Sequence, residues 1–205
     1  MKKFDRHTLL SNWTREITIP ENLKIARNDM QIIGFYQAGE SVIGLDSGDL
    51  FETLGGNHKT EFESGKLAIA CKIDLGRVTT DRETYLFASY CKFFNCLSPW
   101  RGSMVTNAQV IDGRRYAPKA HPGDGFLESI DSDLSFRQAI QARKKLHTGD
   151  HLPHPDLTLR KSKSFIYTYG KAKPLSIDGK FKGLHRSFQI EIITHAIELI
   201  VGFSN

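Results

Sequence analysis

Between residues 187 and 192 the side chains alternate, with Phe188, Ile190 and Ile192 apolar and Ser187, Gln189 and Glu191 polar. A period of two places one row of side chains on each face of a strand, so this segment reads as a strand with one buried and one wet face. Comparable strand signals recur over residues 66–75, 84–94, 103–111, 125–131, 157–169, 174–177 and 197–201, punctuated by Gly, Pro, Asp and Asn. That run of strands predicts an antiparallel sheet. Asp178-Gly179 is the strongest hairpin signal, a tight turn between Leu175-Ser176-Ile177 and Lys180-Phe181-Lys182. One helix interrupts the pattern. Ser135 is its expected amino-terminal cap, and Phe136, Ala139, Ile140 and Leu146 lie along it. Arg143-Lys144-Lys145 falls where the helix dipole favours cations, and Gly149 marks the stop.

The amino-terminal part is patterned differently. Met30-Gln31-Ile32-Ile33-Gly34-Phe35-Tyr36 and Ser41-Val42-Ile43-Gly44-Leu45 read as short apolar strands. Asp46-Ser47-Gly48 and a helical Asp49-Leu50-Phe51-Glu52-Thr53-Leu54 follow, closed by Gly55-Gly56. A composition shift over residues 57–65 divides a reduced α/β unit, 1–62, from a larger β domain, 63–205. With 205 residues, 40% hydrophobic and 25% charged, the chain can bury a true core, which excludes disordered, collagen-like and rod-like classes. The formal charge of +5 favours phosphate-bearing partners without selecting one.

No secretion signal follows Met1-Lys2-Lys3, and the most apolar stretch, residues 196–203, is broken by Glu198 and Gly202. A soluble, cytoplasmic protein is expected. Cys71, Cys91 and Cys96 are too few for a disulfide scaffold and read as reduced thiols, and the spacing of Cys91 and Cys96 matches no common zinc motif.

Residues 107–128 run Asn107, then Ala117-Pro118, then Asp124-Gly125-Phe126-Leu127-Glu128. Gly149-Asp150-His151-Leu152-Pro153-His154-Pro155 follows the helix, Leu175-Ser176-Ile177-Asp178-Gly179 follows that, and Ile73-Asp74-Leu75-Gly76-Arg77-Val78 precedes them all. In this order and spacing the motifs resemble the diacylglycerol kinase and YegS-like lipid kinase family over residues 66–201. The resemblance implies an α+β fold, chiefly the family's carboxyl-terminal β-sandwich, with a small α/β remnant of the nucleotide-binding domain ahead of it. The parent reaction it implies is ATP-dependent phosphorylation of a lipid hydroxyl, with magnesium.

Two positions depart from the family pattern. Leu45-Asp46-Ser47-Gly48-Asp49-Leu50-Phe51-Glu52-Thr53-Leu54-Gly55 resembles the family's Gly-Thr-Gly-Asn-Asp segment, so Gly48 and Asp49 stand as remnants of a nucleotide loop. The leading glycines are gone, and no Gly-Gly-Asp-Gly-Thr loop is present. Side chains at such points obstruct the approach of backbone N–H groups to phosphate, which argues against ATP binding by this chain alone. Where the resemblance implies a catalytic Glu, beside the retained Asp178, the chain has Lys180, a cation that cannot take the proton of a lipid hydroxyl. The family's cation site maps onto the carboxylate of Asp124 with the carbonyls of His121 and Phe126, oxygen donors that suit magnesium; a plain turn is the alternative.

His151, His154 and Asp156 form a second titratable group in a Pro-rich loop, and Trp100 reads as a core-edge anchor or a lipid-pocket rim. Arg114-Arg115, Arg143-Lys144-Lys145 and Arg160-Lys161-Ser162-Lys163 would converge on a lipid or an anionic membrane surface, giving peripheral attachment. Nucleic acid is not expected, since no RNA-binding signature accompanies Phe165, Tyr167 and Tyr169. The sequence therefore points to a lipid kinase relative without autonomous catalysis that keeps lipid, phosphate or cation binding. The alternatives are a half-enzyme completed by a nucleotide-binding partner chain or by a homo-oligomer, and a non-catalytic interaction module.

Overall fold

The computed structural model describes residues 13–56 and 62–201. The amino-terminal stretch judged for a leader and residues 57–61 of the boundary segment lie outside them. The order is β1 (Thr14–Thr18), β2 (Lys24–Ala26), α1 (Asp29–Gln37), β3 (Val42–Leu45), α2 (Asp49–Thr53), β4 (Leu67–Thr80), β5 (Thr84–Phe87), β6 (Tyr90–Asn95) and β7 (Ser98–Thr106). Then come β8 (Val110–Ile111), β9 (Arg114–Arg115), β10 (Leu127–Ser132), α3 (Phe136–Lys145), β11 (Leu157–Ser162), β12 (Ser164–Ile177) and β13 (Lys180–Ile200). Among the described residues no helix is long and apolar enough to cross a membrane.

The spine is β13. It pairs antiparallel with β12 on one side and β4 on the other, and its last residues pair in parallel with β3, which pairs in parallel with β2. The expected strands at 187–193 and 197–201 are one strand, carried past a bulge between Ile193 and Ile197 where His195 takes φ 50°. Asp178-Gly179 is the hairpin turn between β12 and β13, both residues at positive φ, 43° and 82°.

The far end of β12, Leu175–Ile177, adds β6, and the ladder continues through β7, β10 and β11. Side chains from strands that are not ladder neighbours then meet face to face. Phe93 on β6 stacks on Phe188 of β13 with centroids 4.4 Å apart, and Ser129 on β10 reaches the Tyr167 hydroxyl of β12 at 2.5 Å. These contacts close the mostly antiparallel sheet into a β-sandwich. Phe87, Phe93, Leu127, Leu175, Phe188 and Ile190 are fully buried between its layers. At about 1.5–3 kcal/mol for each large apolar side chain, this core is the main source of stability. Phe165, Tyr167 and Tyr169 pack into this same core.

The amino-terminal unit forms a second core on the β13–β3 edge, where Ile32, Ile43, Leu45, Leu50 and Phe51 pack against Ile73, Leu75 and Leu199. One expectation is corrected here. Residues 30–36, read as a strand, form most of helix α1. The Asn28 side chain caps the first turn by accepting the Gln31 N–H at 3.0 Å, and burial of Ile32 outweighs the strand preference of Ile32 and Ile33. The expected helices at 49–54 and after Ser135 both form, the second with a capping box in which Ser135 and Gln138 each bond the other's backbone N–H.

Candidate functional site

Three carboxylates converge where α2 meets the sandwich. Asp29, buried at the first turn of α1, accepts the N–H groups of Asp49 at 2.7 Å and Leu50 at 3.0 Å. Asp49 accepts the Asp112 N–H at 2.9 Å and the Ser89 hydroxyl at 3.0 Å. Asp178, aimed by its left-handed turn, accepts the N–H groups of Ala88, Ser89 and Tyr90 at 2.9, 3.0 and 2.8 Å. It thereby fixes the turn between β5 and β6. Desolvation pushes the Asp49 carboxyl up to about 6 and that of Asp178 up to about 7, and raises Asp29 as well. The negative charge of Asp29 adds to both of the other shifts. Lys180 stands beside this group, exposed at the start of β13.

Next to the acidic group a cavity of about 480 Å³ opens under α3. Trp100, Met104, Ile130, Leu134, Phe136, Ile140 and Leu157 give it apolar walls, while Tyr90, Lys92, Asp112, Arg114, Tyr116, Arg143 and His151 surround its polar end. Tyr90 and Asp112 belong to both places: their N–H groups go to Asp178 and Asp49, and their residues line the cavity. Trp100 is tied down by its indole N–H, which donates to the Leu134 carbonyl at 3.0 Å, and its ring meets Phe136 at 5.2 Å. Helix α3 has no fully buried residue, so it lies over the cavity as a cover rather than as a core element.

No protein-family profile matches the sequence, and no curated protein matches it. Solved structures do match. A protein of Bacillus anthracis str. Sterne provisionally named a diacylglycerol kinase superposes with a TM-score of 0.63 at 13% identity, over 88% of this chain and 78% of that one. A diacylglycerol kinase of the same organism superposes with a TM-score of 0.56 at 16% identity, over 78% of this chain and 69% of that one. The chain has a diacylglycerol kinase-like lipid kinase fold.

In this diacylglycerol kinase-like fold the parallel β2–α1–β3–α2 unit offers two strand-to-helix turns, the usual place for nucleotide phosphates. Both are filled from within. At the first, Asn28 takes the Gln31 N–H, and the Gln31 side chain takes the Arg27 N–H at 2.8 Å. At the second, the Asp29 carboxylate holds the two N–H groups that a phosphate would need. Gly48 has φ 119°, and a Cβ there would lie 2.7 Å from an Asp29 oxygen. A filled anion seat carrying its own negative charge does not fit ATP.

The turn expected to hold a cation does bring His121, Asp124 and Phe126 together. The Asp124 carboxylate accepts the Phe126 N–H at 3.0 Å and pairs with the Lys161 ammonium at 2.6 Å. The His121 carbonyl receives the Asp124 N–H at 3.4 Å. Lys161 thus supplies the positive charge that magnesium would bring, and a divalent ion does not fit without displacing it. Beneath the turn, the fully buried Asp74 accepts the Gly125 and His195 N–H groups, each at 2.7 Å, locking this loop to the bulge of β13.

His151 and His154 are not brought into one cluster with Asp156. The His151 ring bonds the Tyr116 carbonyl at 3.1 Å, while His154 accepts the Asp156 N–H. Among the described residues no group of three His, Cys, Asp or Glu is placed to hold a metal. Sequence reasoning missed Asp29, Ser89 and Asp112. The signal for Asp29 was local: Asn28-Asp29 ahead of an apolar run is a helix start.

Proposed function

We propose that this chain binds a lipid in the cavity under α3 and does not by itself transfer phosphate from ATP. The observation that carries this reading is an apolar cavity of about 480 Å³ whose polar end shares Tyr90 and Asp112 with the Asp49–Asp178 carboxylate group. Its size lies in the range of about 300–1,000 Å³ typical of small-ligand sites, and its lining, apolar with a few polar groups at one end, is that of an amphiphile site. The names of the structurally similar proteins agree with a lipid as ligand. Against autonomous transfer stand the filled phosphate turns and the exposed Lys180 in place of a carboxylate base. Exposed Phe136 and Ile140 on α3, beside Arg137, Lys144 and Lys145, give the cavity a basic, apolar face suited to an anionic membrane.

The test has two arms. Labelled γ-phosphate from ATP is offered with magnesium and a panel of lipids in mixed micelles, and lipid binding is followed by fluorescence displacement. Saturable binding that Ala139→Trp blocks, with no phosphate transfer, is the expected result. Phosphate transfer lost in Asp49→Asn would overturn the non-autonomous reading, and lipid binding untouched by Ala139→Trp would remove the cavity from it. The surviving carboxylate group favours a second reading, in which a separate nucleotide-binding chain completes the site. That reading expects transfer to appear when such a chain is added and copurification of the two from cells.

A further inference from the structure

The polar end of the cavity is built to receive negative charge. Arg114, Tyr116 and Arg143 all line that end of the space. The Arg114 Nε atom is shut off from solvent and has no hydrogen-bond partner among the described residues. Arg114 lines the cavity, and a carboxylate or phosphate is the bidentate complement of a guanidinium. Lys92 and Asp112 also line the space, one charge of each sign, which leaves the two arginines in excess. His151, only 5% exposed, closes the same end with its ring bonded to the Tyr116 carbonyl.

The opposite end is apolar. Phe136 and Arg143 are seven positions apart on α3, so the helical rise sets about 10 Å between the aromatic end and the cationic end. Trp100 and Phe136 close ring to ring at the far wall. The volume of about 480 Å³ suits one hydrocarbon chain rather than two.

We infer that the cavity selects a single-chain amphiphile with an anionic head, a fatty carboxylate or a lysophospholipid phosphate, its head on Arg114 and Arg143 and its chain toward Trp100. This rests on the lipid-binding reading above and goes beyond it: an uncharged lipid with a free hydroxyl is not the preferred ligand. Such a head reaches the arginines, and the Asp49–Asp178 group lies on the other side of Tyr90 and Asp112.

The experiment measures the affinity of the full chain for dodecanoate, lysophosphatidate with a twelve-carbon chain, dodecanol, monododecanoyl glycerol and didodecanoyl phosphatidate. Expected is binding of dodecanoate or lysophosphatidate at least tenfold tighter than that of the uncharged pair and of the two-chain phosphatidate. The tighter of the two anions identifies the head as carboxylate or phosphate. Arg143→Gln, on the exposed helix, and Arg114→Gln are each expected to remove most of that preference, lowering dodecanoate affinity far more than dodecanol affinity. Thermal melts confirm that each variant is folded. Equal binding of charged and uncharged single-chain lipids would overturn the inference and leave the lipid-binding function standing. Preference for the two-chain phosphatidate, or a charge preference that survives in Arg143→Gln, would overturn it too. Failure of all five to bind would overturn both.

Discussion

Replacing Asp178 by alanine removes one carboxylate and strands three donors at once. The N–H groups of Ala88, Ser89 and Tyr90 all end on that side chain, and all three residues are buried. A buried donor without an acceptor costs about 1–3 kcal/mol. The three share one turn and relax together, so the sum is taken near the low end, roughly 3–5 kcal/mol. For a chain of this size each kcal/mol lowers Tm by about 2–4 °C, which gives a loss of roughly 10–15 °C. Asn is the informative control. One oxygen, Oδ1, serves Ser89 and Tyr90, and the other serves Ala88. Asp178→Asn keeps the first oxygen and turns an amide NH2 toward the Ala88 N–H, so one bond is lost at a cost of about 1–2 kcal/mol. Urea unfolding at constant pH checks both values. A loss below about 1 kcal/mol in Asp178→Ala, or equal losses in the two variants, would refute the reasoning that this carboxylate anchors the β5–β6 turn.

Three further outcomes follow from the same geometry. Gly76→Ala puts a Cβ 2.0 Å from the ring of the fully buried Phe87, so overpacking of about 1–3 kcal/mol or more is expected in a melting curve. Asp49 has a folded-state value near 6 against an ordinary 3.8, so the native state holds more protons than the unfolded one between those values and stability falls as pH rises through that window. Asp49→Asn, which keeps an acceptor for the Asp112 N–H, should therefore gain on wild type by about 1–2 kcal/mol between pH 4 and pH 8, a figure already reduced for water at the site; a constant difference across pH would show that burial does not penalise this charge. Magnesium at millimolar levels should leave the wild-type melting temperature unchanged and raise it only in Lys161→Ala, where Asp124 has lost its ammonium partner; a magnesium-dependent shift in the wild type would show that the ion displaces Lys161.

The sandwich was legible because each of its signals is local. Alternation in residues 187–192, the Asp178-Gly179 turn and the Ser135 cap each depend on a few neighbouring residues, and each forms where expected. Strand ends were less legible. Nothing local distinguishes a bulge at residues 193–197 from a strand break, because what carries β13 through is a hydrogen bond from His195 to Asp74, 121 positions earlier. Helix α1 was misread for the opposite reason: its apolar run was weighed without the Asn28 cap that decides it. The candidate site was half legible. The resemblance directed attention to Asp49, Asp124 and Asp178, but the partners that fix their chemistry, Asp29, Lys161 and the β5–β6 backbone, lie 20, 37 and about 90 positions away.

Those partners also explain how the two turns hold their shape. A loop that holds phosphate must keep backbone N–H groups unpaired until the ligand arrives, and unpaired buried donors destabilise the empty protein. In this chain the donors of the second turn end on Asp29, and the positive charge at the Asp124 turn comes from Lys161. Each is an internal substitute for a ligand: a carboxylate where an anion would bind, an ammonium where a cation would. Both make the turns self-sufficient. The wall of the cavity under α3 carries Arg114 and Arg143 without a carboxylate paired to either among the described residues. On the proposed lipid reading, the ligand belongs in that cavity rather than at these turns. The binding experiments on Arg114 and Arg143 test that distinction directly.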